Sequence, residues 1–115
     1  METLPGIWFN HIDVAITVCD KEGMIIEMNE CALKVFDKDG NKTLIGCNVL
    51  DCHPEPARTI LLEMLKSGKA NTYTISKNGR KKIIQQIPWT VDGEFAGLVE
   101  ISSVIPEEMP HFIRS

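Results

Sequence analysis

The chain has 115 residues and a net charge of −4, with 43% hydrophobic and 24% charged residues. These values fit one compact globular domain, residues 1–115, with its own apolar core. No apolar run approaches the ~20 residues of a membrane-spanning helix, and the N-terminus lacks the basic flank and apolar run of a signal peptide. We therefore expect a cytoplasmic protein that does not bind a membrane. The acidic charge balance also argues against binding to nucleic acid.

The first third predicts a short helix followed by a hairpin and a second helix. Residues 3–11 can form the first helix, and Val14–Cys19 and Met24–Met28 read as strands joined by an acidic, glycine-containing turn. Asn29 is a favourable N-cap for the helix behind it. Asp37–Lys42 then reads as a loop.

The middle of the chain predicts one long helix after a broken apolar stretch. Thr43–Cys52 is interrupted by glycine and asparagine, so we expect one or two short helical turns there. Glu55–Ser67 reads as a helix with an apolar stripe, and Gly68 suits its C-cap. The stripe consists of Ile60, Leu61, Met64 and Leu65.

The last third changes to strand periodicity. Asn71–Lys77, Lys82–Thr90 and Phe95–Val104 are predicted strands, with two-residue turns at Asn78-Gly79 and Asp92-Gly93. The tail, residues 106–115, shows no element. Strand runs separated from helices predict an α+β fold with a five-stranded antiparallel sheet, helices on one face and a core of about residues 12–105.

This order resembles that of the PAS family over about residues 10–105. The matching motifs are Asp20 with Gly23, Asn29, Gly46, His53-Pro54-Glu55, Ile87-Pro88, and Gly93 with Gly97. The resemblance implies a sensory domain, not an enzyme, that often dimerises and passes signals to a partner protein. No effector segment fits in the remaining residues.

Residues 46–54 raise three possible chemistries for a bound cofactor or a reactive thiol. Light-sensing relatives carry Gly-x-Asn-Cys, but here Val49 stands at the reactive position, so a flavin adduct is not expected. His53 as a haem ligand, or a thiol-redox sensor using His53 with Cys47 or Cys52, remain alternatives. A local structural role for His53 is favoured over both, and Cys47 and Cys52 are expected to be small core residues. No metal site is predicted, with His53 and Cys52 as the alternative ligands if there is one.

An apolar cavity between sheet and helices is the expected ligand site. A core filled by side chains, leaving a ligand-free dimerisation module, is the open alternative. The candidate pocket residues are Val18, Met28, Phe36, Val49, Leu50, His53, Ile60, Met64, Ile75, Gln85 or Gln86, Ile87 and Trp89.

Large apolar residues near the N-terminus lie outside the predicted sheet and need a cover. Burial against a second copy of the chain predicts a homodimer. The alternative is that the segment folds back on its own sheet. The candidate interface residues are Leu4, Ile7, Trp8 and Phe9.

Overall fold

A computed structural model of the chain describes residues 3–36 and 44–115, except for the side chain of Phe36. Its five strands form one antiparallel sheet in the order β2-β1-β5-β4-β3. This confirms the predicted α+β fold. The elements are α1 (Leu4–His11), β1 (Ala15–Asp20), β2 (Ile25–Met28), α2 (Glu30–Phe36), a 3-10 turn (Val49–Asp51), α3 (Ala57–Ser67), β3 (Asn71–Lys77), β4 (Arg80–Val91) and β5 (Glu94–Val104).

The acidic turn between β1 and β2 forms as predicted. The Asp20 carboxylate accepts backbone N–H bonds from Glu22 (3.0 Å) and Met24 (2.9 Å). Gly23 closes the turn at φ +89, a conformation that L side chains rarely adopt. The turn is therefore held by hydrogen bonds and a backbone angle of its own residues.

Asn29 joins the first strand to α2. Its side chain is fully buried; Oδ1 accepts from the Ile16 (3.0 Å) and Ala32 (2.9 Å) amides, and Nδ2 donates to the Val14 carbonyl (2.7 Å). The bond to Ala32 satisfies an amide of the first helical turn, so the predicted N-cap is confirmed. The other two bonds hold the helix against β1.

Helix α3 begins at Ala57, later than the predicted start at Glu55, because Pro56 occupies the N-cap. Gly68 ends it in the left-handed conformation, and its amide donates to the Met64 carbonyl (2.8 Å). Of the predicted apolar stripe, Leu61 and Met64 are buried, whereas Ile60 is 48% exposed. The buried stripe is thus narrower than expected, since a helix on a sheet buries one side only.

The segment before α3 contains one 3-10 turn, as the broken apolar pattern predicted. Asn48 caps it, because its side chain accepts from the Leu50 amide at 2.9 Å. The same side chain donates to the Glu22 carbonyl at 3.0 Å and so ties the turn to the first hairpin. The predicted loop Asp37–Lys42 lies outside the described residues.

Both later hairpins turn where predicted. Asn78-Gly79 and Asp92-Gly93 have positive φ at both residues, as a tight two-residue turn requires. Strands β4 and β5 are longer than expected, because pairing continues to the turn residues. No helix in the described part of the chain is long and apolar enough to span a bilayer.

Different elements pack on the two faces of the sheet. One face packs on α2, the 3-10 turn and α3 through two apolar clusters, which contain Ala15 and Cys19 of β1 respectively. On the other face, Trp8 and Phe9 of α1 line a groove with Val18 and Glu27. Strand β1 is therefore covered on both sides, which determines which of its residues can face a cavity.

Candidate ligand-binding site

A cavity of about 320 Å³ lies between the helix-covered face of the sheet and the helices. Strand residues Thr17, Cys19 and Leu98 line one side, and Val49 and Leu61 line the other. The lining is mostly apolar. This volume is at the lower end of the roughly 300–1,000 Å³ of small-molecule pockets, so the space suits a compact ligand.

A chain of polar side chains runs along one wall of this cavity. Asn71 donates to the carboxamide oxygen of Gln86 (3.1 Å), and the Gln86 amide donates to the Glu100 carboxylate (3.0 Å). Gln86 is only 4% exposed. Because both ends of its carboxamide are engaged, Gln86 holds one orientation and Glu100 is fixed beside it.

His53 lies in the cavity wall at the start of the segment leading into α3. Its Nδ1 is 2.8 Å from the carbonyl oxygen of Val49. A carbonyl only accepts, so Nδ1 carries a proton, and Nε2 is the nitrogen that can accept when the ring has one proton. This local bond is the structural role that the sequence favoured, and it leaves Nε2 with the correct form for a metal ligand.

Two further spaces adjoin the main cavity and also include His53 in their linings. One of about 400 Å³ is bordered by Ile60, Asn71 and Tyr73, and one of about 190 Å³ by Tyr73, Ile75 and Glu100. Partial burial and then the Glu100 carboxylate raise the pKa of Tyr73. The Tyr73 hydroxyl is thus neutral and lies within electrostatic range of Glu100.

Part of the predicted pocket set does line these spaces. Val49 and His53 border the main cavity, Ile60 the second and Ile75 the third. Of the two glutamines that the sequence left open, Gln86 borders the main cavity and Gln85 does not. Whether any of these residues contacts a ligand stays a prediction.

Other predicted pocket residues lie elsewhere. Val18 is on the opposite face under α1, and Ile87 shares that face, because residues alternate along a strand. Trp89 crosses over Gly97 and donates its indole N–H to the Cys19 carbonyl at 3.1 Å, so it bridges strands instead of bordering the main cavity. Met28 and Met64 are core residues, and Leu50 packs against the core. The Phe36 side chain is outside the described part of the structure.

Three residues that line the main cavity were not predicted from the sequence, namely Thr17, Leu98 and Glu100. From β1 the sequence supplied Val18 as a pocket residue. Residues alternate between the two faces of a strand, so Thr17 and Cys19 are the β1 residues that line the cavity. Glu100 could have been found from the strand register, where it pairs with Gln86.

The cysteines differ in exposure, and none forms a disulfide. Cys19 is buried, whereas Cys47 and Cys52 are exposed, contrary to the expectation that both are core residues. Cys52 also borders the main cavity. Burial raises the pKa of Cys19, and partial burial, Cys47 and Asp51 together raise that of Cys52. A raised pKa lowers the thiolate fraction and opposes a redox role.

The described residues contain no group of three or more His, Cys, Asp or Glu side chains arranged to hold a metal ion. Residues 46–49, the segment compared above with the flavin-binding motif, have a structural role in this chain. Asn48 serves as cap and hairpin tie, and the side chain at the flavin-reactive position, Val49, forms an apolar part of the cavity wall.

Several solved structures with the same fold are PAS domains. The PAS domain of a protein from Colwellia psychrerythraea has a TM-score of 0.63 and 19% identity, covering 90% of this chain and 96% of that one. The PAS domain of nitrogen regulation protein NR(II) from Vibrio parahaemolyticus has a TM-score of 0.58 and 20% identity, covering 90% of this chain and 100% of that one. The Aer2 receptor from Vibrio cholerae, a dual PAS-haem oxygen sensor, has a TM-score of 0.58 and 21% identity, covering 81% and 95%.

No protein-family model matches the sequence, and no curated protein matches it significantly. The structural likeness shows that the chain has the PAS fold, as its motif order indicated. At about 20% identity it shows the fold alone. The ligand must be argued from the cavity itself.

Proposed function

We propose that this chain is a PAS-like sensory domain that binds a small organic ligand between its sheet and helices and passes the signal to a partner protein. The observation that supports this most is the cavity of about 320 Å³ bordered by the hydrogen-bonded Gln86–Glu100 pair. An apolar space with a few fixed polar groups is the usual form of a ligand site. No catalytic role is proposed for these residues.

Native mass spectrometry tests the binding role. After incubation with a small-molecule extract of the cells that express it, the protein should carry a noncovalent adduct. Thr17→Met extends a side chain into the cavity and should abolish the adduct, whereas Thr72→Met, on the opposite face of the sheet, should retain it. A bare mass after incubation would favour the ligand-free module.

A homodimer formed through α1 is the proposed assembly. Leu4, Ile7 and Trp8 are 74%, 44% and 53% exposed, although α1 rests on the sheet through the Trp8–Phe9 side. These exposed side chains form an apolar surface that a second copy would cover. Its role as an interface, like the cytoplasmic location, stays a prediction.

Sedimentation over a wide concentration range tests the dimer. We expect association that Ile7→Asp weakens, while Leu62→Asp, on the exposed side of α3, leaves it unchanged. A monomer at every concentration would overturn this assembly.

A haem sensor is the second candidate, because His53 donates from Nδ1 to a carbonyl and keeps Nε2 as an acceptor. When bound, a haem would supply gas binding or electron transfer at its iron. An absorption spectrum after loading with hemin should then show a Soret band that His53→Ala removes. A spectrum unchanged by His53→Ala would exclude this axial ligand.

A further inference from the structure

We propose that the cavity selects a compact organic cation, an ammonium group on an apolar body, with the ammonium held at Glu100. This inference rests on the proposed ligand-binding role and adds the chemical class of the ligand. Among the described residues that line the main cavity, Glu100 is the one with a carboxyl group.

The orientation of Gln86 makes Glu100 the acceptor end of the polar chain. The Gln86 oxygen is occupied by Asn71, so its amide faces the carboxylate and donates to Oε2 at 3.0 Å. A carboxylate has about four acceptor positions. A carboxylate beside an apolar cavity is costly unless further donors reach it, and an ammonium group supplies three donors together with the opposite charge.

Among the described residues, no Lys, Arg or His side chain forms an ion pair with Glu100. Lys77 and Lys82 border the smaller adjoining space together with Glu100. However, the ion pair found among the described residues is between Arg58 and Asp51, at 3.5 Å. The hydrogen bond of His53 runs from Nδ1 to the Val49 carbonyl at 2.8 Å and not to Glu100.

The remaining wall suits the apolar part of such a ligand. Leu61, Leu98 and Val49 provide aliphatic contact, and Tyr73 borders the adjoining spaces near Glu100. An aromatic ring beside a carboxylate favours a cation from two sides, through ring-face attraction and charge pairing. The main cavity by itself, about 320 Å³, has room for a body of the size of one aromatic ring.

Three matched probes test this inference on the intact chain: 2-phenylethylamine, 2-phenylethanol and 3-phenylpropionate, which are cationic, neutral and anionic at pH 7. Binding is followed by amide NMR shifts of Leu61, Gln86 and Leu98. The amine should bind at least about tenfold more tightly than the carboxylate, since charge-assisted hydrogen bonds are worth this much. Glu100→Gln should remove the preference, whereas Glu94→Gln, an exposed carboxylate at the start of the same strand, should keep it.

Equal binding of the three probes, preference for the carboxylate, or an unchanged preference in Glu100→Gln would overturn the cation inference. In those cases the ligand-binding role stands, because the cavity amides still respond. If no probe shifts any cavity amide, both proposals fail. The comparison among probes on the unmodified chain needs no variant and holds even if Glu100→Gln fails to fold.

Discussion

Gln86 and Glu100 face each other across β4 and β5, and the Gln86 side chain donates to the Glu100 carboxylate at 3.0 Å. Gln86 is 4% exposed and also accepts from Asn71 at the start of β3. One buried carboxamide therefore links three adjacent strands on the cavity side. The polar wall of the cavity is thus set by the strand register and does not depend on a flexible loop.

Replacing Gln86 tests the value of that link. Gln86→Leu removes both hydrogen bonds and leaves Asn71 and Glu100 without this partner, so the free energy of unfolding should fall by about 2 kcal/mol. Urea denaturation measures the change. Gln85→Leu, the neighbouring position on the opposite face, is the control and should change stability by about 0.5 kcal/mol or less. Equal losses in the two variants would show that the Gln86 bonds contribute nothing specific.

Asn29 should be the most costly polar residue to remove. Asn29→Ala leaves the Ile16 and Ala32 amides and the Val14 carbonyl without their partner in a buried site. We expect a loss of about 3 kcal/mol or more in thermal or urea unfolding, since each unsatisfied buried group costs about 1–3 kcal/mol. Asn29→Ser keeps a capping oxygen and should lose less. A loss below about 1 kcal/mol for Asn29→Ala would contradict the role of this side chain in holding α2 against β1.

Two turn glycines with similar backbone angles should respond differently to alanine. Gly79→Ala at φ +74 meets open space, so only backbone strain of about 1 kcal/mol is expected. Gly23→Ala at φ +89 adds close approaches to Asn48 Oδ1 (3.0 Å) and Leu65 Cδ1 (3.1 Å), so its loss should be clearly larger. Urea midpoints of the two variants make the comparison, and a larger loss at Gly79 would refute the packing described for the first hairpin.

Thiol reactivity should follow the raised pKa values. A raised pKa leaves less thiolate at pH 8, so Cys52 should react with a soluble disulfide reagent more slowly than an unhindered cysteine, and its rate should still rise above pH 9. Cys19 is buried and should react only on unfolding. Rates in variants that keep one cysteine each separate the sites. If Cys52 reacts faster than a free cysteine, the redox alternative regains support.

The sequence predicted the elements well where local chemistry decides them. Asp20 with Gly23, the Asn29 cap and the Asn78-Gly79 turn form as expected, because each depends on hydrogen bonds or backbone angles within a few residues. The hairpin pairings were predicted, whereas the pairing of β1 with β5 that joins them into one sheet was not. Helix α3 differed at its start because Pro56 takes the cap position.

The cavity was predicted only in part, for a physical reason. Strand β1 is covered by α1 on one face and by helices on the other, so hydrophobicity did not distinguish Val18 from the cavity-facing Thr17 and Cys19. Trp89 bridges to Cys19 across Gly97, a tertiary contact that no local pattern contains. Glu100 was not among the predicted pocket residues, because its partner Gln86 is 14 residues away and local patterns do not show the pairing.

The central claim is that a small molecule enters the cavity between Leu61 of α3 and Leu98 of the sheet. Intermolecular NOEs between 2-phenylethylamine and methyl groups of the protein test it most directly. We predict NOEs to Leu61 and Leu98 and none to Leu62, which lies on the exposed side of the same helix. NOEs confined to Leu62 and other surface methyls, or none at all, would contradict the account.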